Sequence, residues 1–344
     1  RSSDLERIGD LKEEDAEKVI DVTGFCVCPG FIDLHTHSDL TVLIDGRALS
    51  YVYQGVTTQL VGNCGLSASP LRRWEDLKRN VFCYTEPDTP KWSSFAEYAE
   101  VLEETGISIN VAGQIGHGSL RGAVVGYENR RATPDEKREM KHILSGALEA
   151  GAFGLSTGLE YAPGINADAE EVIELCRPVA QANGVYTTHV RNRDERFESG
   201  FGEAFEIAER SGVRTVISHA TPKYGAPEGA AEWFLRTLHE RSKQADLLCD
   251  VIPYEWGPTA LTAILPKDLL QKGPSEIARE LADSRVVDAI AGMEDFFWLL
   301  FRDERWEEIL LYYSPSFGDL VGKNAKEIGE YFHTTPLKGM LEIL

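Results

Sequence analysis

Apolar strand segments that end in metal-binding side chains are the feature that most constrains the fold of this chain. The clearest is PGFIDLHTHSD, residues 29–39, in which a short apolar stretch leads directly into His35 and His37. In a strand, residues i and i+2 point to the same face, so both imidazoles project together from its carboxyl end. Two solvated loop histidines would give the same spacing, so this pair alone does not define a metal site.

Three later apolar segments deliver one ligand-type residue each at their carboxyl ends. TTQLVGNC ends on Cys64, VYTTHV carries His189 and RTVISH ends on His219. Imidazole and thiolate ligands together suit zinc. An isolated Cys64 would be interpreted as a small buried hydrophobe. Ligand-type residues at four strand ends instead predict one shared metal site.

Strand and helix signals alternate along the chain with the spacing of β-α-β units. Strands are predicted near residues 31–37, 57–63, 107–115, 151–156, 185–190, 214–219 and 246–252, and helices over 134–150, 168–183, 201–211 and 227–242. The helix over 134–150 has Thr133 as its N-cap and Pro134 in its first turn. This pattern predicts an α/β fold, a TIM-type (β/α)8 barrel with its eighth strand missing from the sequence.

Length, net charge and cysteine content limit the kinds of fold and of binding partner that suit this chain. The 344 residues suit an α/β barrel of about 250 residues plus additions. A formal net charge of −21 argues against nucleic acid or an anionic membrane surface as partner, because both repel an acidic protein. The six cysteines are scattered without a disulfide framework and indicate reduced thiols in a cytoplasmic protein.

Seven segments resemble those of a known family in identity and order: PGFIDLHTHSD, GVTTQLVGNCGLSASP, GHGSLRGAVVG, GAFGLSTGLEYAPG, TTHVRNR, ISHA and DVIPY. Covering roughly residues 20–265, they resemble the amidohydrolase superfamily, and specifically its N-acyl-D-amino-acid deacylase (D-aminoacylase) branch. The cysteine of GNCG separates this branch from relatives that bridge their metals with a carboxylated lysine.

The resemblance implies a role for each predicted ligand. His35 and His37 would line the more exposed metal position, Cys64 would be the bridging thiolate, and His189 and His219 would complete the tight zinc site. Zinc supplies an activated water and polarises the scissile carbonyl. The implied activity is zinc-dependent hydrolysis of a linear amide, the deacylation of a small-molecule N-acyl amino acid of the D series.

The resemblance also implies the division of the chain and the position of the base. Residues 1–28 would be the remnant of a small β-sandwich, 29–265 the barrel, and 266–344 an inserted α-rich subdomain with one short strand candidate, LLYYS. The family's general base is an aspartate in an SDG-like motif after the eighth strand, which this sequence lacks. Asp319 falls in the inserted subdomain, so we expect the base to lie beyond residue 344.

Substrate recognition departs from the family pattern. Where the family has a lysine, a tyrosine and a serine that bind the substrate carboxylate, this chain has Thr221, Ile252 and Pro258. The remaining candidates for substrate binding are Arg191, Lys223, Tyr254 and Tyr161. Arg191 is equally compatible with a salt bridge at the mouth of the barrel.

Three alternatives stay open from the sequence. GLSTG, residues 154–158, matches the GxSxG pattern of serine hydrolases, with Asp194 and His219 downstream in triad order. A nucleophile elbow needs a helix directly after Ser156, and LEYAPGI does not favour one. Another alternative is hydrolysis of a different or cyclic amide by an enzyme of the same superfamily. The chain could also be a catalytically incomplete metal-binding subunit, because the sequence shows ligands but no base.

Overall fold

The computed structural model describes residues 9, 17–81, 84–293, 296 and 298–344. Its strands are β1 Phe31–Asp33, β2 Val56–Val61, β3 Asn110–Gly113, β4 Ile115–Gly116, β5 Gly154–Gly158, β6 Val185–His189, β7 Arg214–Ile217 and β8 Leu247–Cys249. The first helices are α1 Thr41–Ile44, α2 Leu49–Val52, α3 Leu77–Asn80, α4 Phe95–Thr105, α5 His117–Val124, α6 Pro134–Glu149, α7 Ala169–Gln181, α8 Phe197–Ser211 and α9 Ala230–Arg241. The later helices are α10 Lys267–Leu270, α11 Pro274–Leu281, α12 Ser284–Ala291, α13 Leu299–Arg302, α14 Ala325–Tyr331 and α15 Pro336–Leu341.

The strands form two parallel sheets, with orders β1-β2-β3 and β4-β5-β6-β7-β8. All pairings are parallel, so every strand of a sheet presents its carboxyl end at the same edge. A single residue, Gln114, separates β3 from β4, and its N–H donates to the carbonyl of Val61 at 3.0 Å. The predicted α/β class with strands joined by helices is confirmed.

Two strand predictions differ from the structure. The segment predicted near 107–115 is divided into β3 and β4, because the chain changes pairing partner at Gln114. The candidate LLYYS forms no strand, and only a single antiparallel bridge joins Leu310 to Asn324. Leu311 is buried there, but Leu310, Tyr312 and Tyr313 are exposed, so the segment buries little apolar surface.

Helix α6 begins as its sequence predicts. The hydroxyl of Thr133 accepts from the N–H of Glu136 at 3.3 Å, and the carboxylate of Glu136 accepts from the N–H of Thr133 at 2.7 Å. This capping box satisfies two of the N–H groups that a helix start leaves without partners. It fixes the start of the helix at Pro134, in the part of the chain between β4 and β5.

Buried apolar side chains form separate clusters along the chain. One lies between β4–β6 and α5–α8 and includes Leu144, Leu155 and Tyr186. Another draws its members only from residues 261–344 and includes Phe301 and Ile328. Residues 18–30 form neither helix nor strand and are exposed, whereas residues 1–8 and 10–16 of the predicted sandwich remnant lie outside the described part. Among the described helices, none is long and apolar enough to cross a membrane.

Candidate metal centre

Cys64 lies at the centre of the predicted ligand set. Its Sγ is 3.3 Å from Nε2 of His35 and 3.6 Å from Nε2 of His219. Ligand atoms of these three residues all lie within 4.8 Å of one another. A metal ion needs ligand atoms grouped in this way, and a thiolate with imidazoles is a zinc-type set.

The other two predicted ligands border the same cluster. The ring of His189 lies 4.4 Å from that of His219, and the ring of His37 lies 5.5 Å from that of His35, between centroids. Both of these imidazoles also interact with the Cys64 thiol and lower its pKa. Thus the structure brings together all five residues that the sequence singled out, from the carboxyl ends of β1, β2, β6 and β7.

The environment of Cys64 favours the thiolate. Burial by itself raises the pKa of this thiol, but its interactions with the imidazoles of His189, His219, His35 and His37 hold the net pKa well below its usual value. The thiolate is the form that binds metals.

Backbone conformation places two of these side chains. Cys64 has φ 54° and His219 has φ 35°, both in the left-handed region. A non-glycine residue held there costs about 1–3 kcal/mol and persists only where the surroundings impose it. At Cys64 the next N–H, that of Gly65, donates to Oγ of Ser156 at 3.0 Å. At His219 the backbone N–H donates to a carboxylate oxygen of Asp250.

Gly158, the last residue of β5, permits the close approach that places Cys64. A Cβ built on Gly158 would overlap the backbone carbonyl of Cys64. We therefore expect Gly158→Ala to displace the thiolate and to weaken zinc binding about 10-fold, although no ligand is removed. Zinc titration measures this.

Gly146→Ala is the matched control, because a Cβ at this site in α6 meets nothing within 4 Å. That variant should keep its zinc affinity and gain about 0.5–1 kcal/mol of stability. Unchanged zinc affinity in Gly158→Ala would show that the contact does not position Cys64.

Two carboxylates that the sequence analysis missed support the imidazoles. Asp250 accepts from Nδ1 of His35 at 3.1 Å. Glu160 pairs with Nε2 of His189 and accepts from Nζ of Lys223 at 2.5 Å. Such partners fix the orientation and tautomer of a metal-binding imidazole. Glu160 and Asp250 follow β5 and β8 closely, so the strand-end rule used for the histidines could have found them.

Ring nitrogens without partners show that the cluster fits a metal. Nδ1 of His189 and Nδ1 of His219 are buried and make no hydrogen bond within the described ranges. Because Glu160 occupies Nε2 of His189, Nδ1 is the nitrogen that this imidazole can offer to a metal. Buried polar atoms normally have a partner, so these atoms indicate a group that the protein binds.

The substrate-binding candidates have different surroundings. Arg191 pairs with Glu203 through Nε at 2.9 Å and Nη2 at 3.0 Å, and also donates to the carbonyls of Ile165 and Ala167, both at 2.9 Å. This is the salt-bridge arrangement that the sequence left open. Lys223 lies closer to the cluster, paired with Glu160.

The two tyrosines also differ. The ring centroid of Tyr161 is 4.7 Å from that of His189, so Tyr161 borders the cluster. Tyr254 is 77% exposed, in the segment that follows β8. The structure therefore places Tyr161 beside the predicted ligands and Tyr254 on the surface.

Ser156 has a structural position. Its hydroxyl donates to the carbonyl of Gly62 and accepts from the N–H of Gly65, which ties β5 to the turn that carries Cys64. The chain after β5 forms a turn and a short 3-10 helix, Gly164–Asn166, rather than the helix that a nucleophile elbow needs. These contacts favour the interpretation of Ser156 as a positioning residue.

Comparison with known proteins matches residues 18–253 to the amidohydrolase family. Among curated proteins, the D-aminoacylase of Alcaligenes xylosoxydans xylosoxydans is 35% identical over 261 residues, which are 76% of this chain and 54% of that protein. The N-acyl-D-aspartate deacylase of the same organism is 36% identical over 262 residues, 76% of this chain and 52% of that protein. The chain thus spans about half the length of these relatives.

The chain is also similar in structure to solved D-aminoacylase and N-acyl-D-amino-acid deacylase structures. A crystal structure of D-aminoacylase superimposes with a TM-score of 0.70 at 28% identity, covering 92% of this chain and 58% of that one. The N-acyl-D-glutamate deacylase of Bordetella bronchiseptica, solved with zinc and a phosphonate that mimics the tetrahedral intermediate, gives a TM-score of 0.72 at 27% identity, with the same coverage.

Proposed function

Because the chain belongs to the amidohydrolase family, we propose that it carries the metal centre of a zinc-dependent hydrolase that deacylates N-acyl amino acids. The observation that carries this proposal is the convergence of Cys64 with four histidines at the strand ends. The relatives named above act on N-acyl-D-amino acids, which supports the D series as the substrate class.

We propose that the two parallel sheets are arcs of one (β/α)8-type barrel formed by residues 29–265. The single residue between β3 and β4 and the parallel order of the strands support this arrangement. Residues 266–344 would be the α-rich subdomain, which the apolar cluster confined to residues 261–344 supports.

Zinc is the metal that this ligand set fits. Cys64, His189 and His219 would hold the tight ion as one thiolate and two imidazoles, with one position left open, and His35 and His37 would line the more exposed position. A zinc ion in such a site lowers the pKa of water and polarises a carbonyl group.

The protein's own groups prepare the site in two ways. Asp250 holds the proton on Nδ1 of His35, which turns its Nε2 lone pair toward Cys64. Glu160 holds the proton on Nε2 of His189 in the same way. Glu160 stays ionised in this position. Burial raises the pKa of its carboxyl. His189 and Lys223, through their charges and their hydrogen bonds, lower that pKa to about 2.

Metal analysis combined with an amidase screen tests the function. In the full-length protein, we expect one tightly bound zinc per chain and turnover of N-acetyl-D-amino acids in preference to N-acetyl-L-amino acids and cyclic amides. Activity should disappear with a chelator, return with zinc and be insensitive to fluorophosphonates, because Ser156 hydrogen-bonds with backbone groups.

Three results would contradict the proposal. Protein without zinc would refute the metal centre, and fluorophosphonate labelling of Ser156 would support the serine-hydrolase alternative. Zinc-loaded full-length protein that hydrolyses none of these amides would support a metal-binding subunit without activity.

A further inference from the structure

Arg193 is a buried cation at the edge of the metal centre. Its side chain is among the buried polar groups at 9% exposure, and Nη1 donates to the backbone carbonyl of His219 at 3.0 Å. Its Nε is buried and has no hydrogen-bond partner within the part of the chain that the structure describes. This donor is therefore available to a bound molecule.

The neighbouring cations are neutralised, and Arg193 is not. Arg191 pairs with Glu203, and Lys223 pairs with Glu160. No carboxylate of the described residues forms an ion pair with Arg193, whose side chain donates instead to a backbone carbonyl. A guanidinium cannot give up its proton in a protein, so its charge persists when it is buried.

Electrostatics place this charge beside the other groups of the centre. The pKa of Lys223 is lowered overall. Burial lowers it most, the charge of Glu160 opposes this effect, and the charge of Arg193 lowers the pKa further. The backbone N–H of Lys223 also donates to the carbonyl of Arg193 at 2.8 Å, so the two residues are neighbours. A buried positive charge without a counter-charge is unfavourable, and an anionic ligand relieves that cost.

We propose that Arg193 binds the α-carboxylate of the N-acyl amino acid substrate. The inference rests on the proposed function, because it takes the scissile amide to lie at the metal. The α-carboxylate is attached to the carbon that bears the amide nitrogen, so it lies close to the reacting atoms. Arg193 hydrogen-bonds to the backbone of His219, a predicted metal ligand, so it is close enough to reach such a group.

The chemistry of the side chain fits this role. The planar guanidinium binds a carboxylate through two parallel N–H donors, and such charge-assisted hydrogen bonds are the stronger kind. At the position where the resembled enzymes have a lysine, this chain has Thr221, which is exposed. Arg193 comes from a different element, the segment between β6 and α8, and would take over the role of that lysine.

Arg193→Gln tests the proposal with two substrates that differ only in the carboxylate, N-acetyl-D-methionine and N-acetyl-D-methioninamide. In the zinc-loaded protein we expect KM for the acid to rise about 10- to 30-fold, since one charged contact is lost. The kcat for the acid and kcat/KM for the amide should stay within about 3-fold. Arg193→Lys should give an intermediate KM, because lysine keeps the positive charge but lacks the two parallel N–H donors of the guanidinium.

Arg214→Gln is the matched control. Arg214 is an exposed arginine at the opposite end of β7, paired with Asp246 at 2.7 Å. Its variant should keep the wild-type preference for the acid. Zinc content and melting temperature are measured for every variant, so that a folding defect is recognised.

Several results would overturn the inference. Equal losses on acid and amide, a loss of zinc, or a loss of preference in Arg191→Gln instead would each exclude Arg193 as the carboxylate-binding residue. A selective loss on N-acetyl-D-glutamate relative to N-acetyl-D-glutamine, with the methionine pair unaffected, would assign Arg193 to a side-chain carboxylate and also overturn it.

Failure of the proposed function would look different. The wild-type protein would then hydrolyse neither substrate, whereas failure of the inference alone leaves wild-type turnover intact. In the first case, calorimetric binding of N-acetyl-D-methionine to the zinc-loaded wild type and Arg193→Gln decides the matter. Equal affinities of the two proteins would refute the role of Arg193.

Discussion

Replacing Cys64 with alanine is expected to abolish tight zinc binding. Cys64 is the residue on which the imidazoles of His35, His37, His189 and His219 converge, so its loss removes the thiolate and leaves those rings without their shared partner. Removing a group that only hydrogen-bonds to a metal ligand lowers metal affinity or activity about 10- to 100-fold. We therefore expect loss of the ligand itself to lower zinc affinity more than about 100-fold.

Elemental analysis after dialysis measures the effect, with Cys176→Ala as the control. Cys176 is also a fully buried cysteine, but it lies in the apolar cluster around α7, away from the histidines. Burial raises the pKa of that thiol, as expected for an inert cysteine. Cys176→Ala should keep its zinc. A Cys64→Ala protein that retains one zinc per chain would refute the assignment of the thiolate ligand.

The convergence of the five predicted ligands could be predicted from sequence because the relevant rule is local. His35, His37, Cys64, His189 and His219 each lie at or just after an apolar strand. Parallel strands joined by helices place their carboxyl ends at one edge, so position along the chain translates directly into position in space. The structure brings these five residues together without requiring information on side-chain packing.

The strand-end rule could have found the supporting groups as candidates, but it could not predict their pairings, because the partners are distant in sequence. Asp250 meets His35 across 215 positions, and Glu160 meets His189 across 29. Strand-end position marks an acidic residue as a candidate but does not say which imidazole it will contact. The same limit applied to Arg191, whose pairing with Glu203 depends on where the fold places α8 relative to the segment that follows β6.

The division of the sheet also depends on tertiary pairing. Residues 107–115 have the composition of one strand, yet Gly113 and Gln114 mark the change from one sheet to the other. The N–H of Gln114 bonds to the end of β2, and the carbonyl of Gly113 accepts from Phe153, which precedes β5. Two different neighbours therefore interrupt a segment that is continuous by hydrophobic pattern.

Glu160→Gln is expected to weaken zinc binding and activity by about 10- to 100-fold, the usual effect of losing a carboxylate behind a metal-binding imidazole. The side chain of Glu160 is 2% exposed and bonds to both His189 and Lys223. The isosteric amide preserves volume but removes the charge, so the ammonium group of Lys223 loses its counter-charge. The amide can also turn its NH2 group toward His189, which would no longer hold Nδ1 in the form that binds metal.

Glu174→Gln is the matched control, because it removes the carboxylate of another lysine–glutamate pair. Glu174 accepts from Nζ of Lys137 at 2.6 Å on the outer surface of α6 and α7, where both side chains are partly exposed. Exposed pairs contribute only about 0–1 kcal/mol, so this variant should behave as wild type. Zinc titration and kcat/KM on the same substrate compare the two variants. Wild-type values in Glu160→Gln would mean that His189 is oriented by packing alone, and that Tyr161, whose ring lies 4.7 Å away, is the contact to replace next.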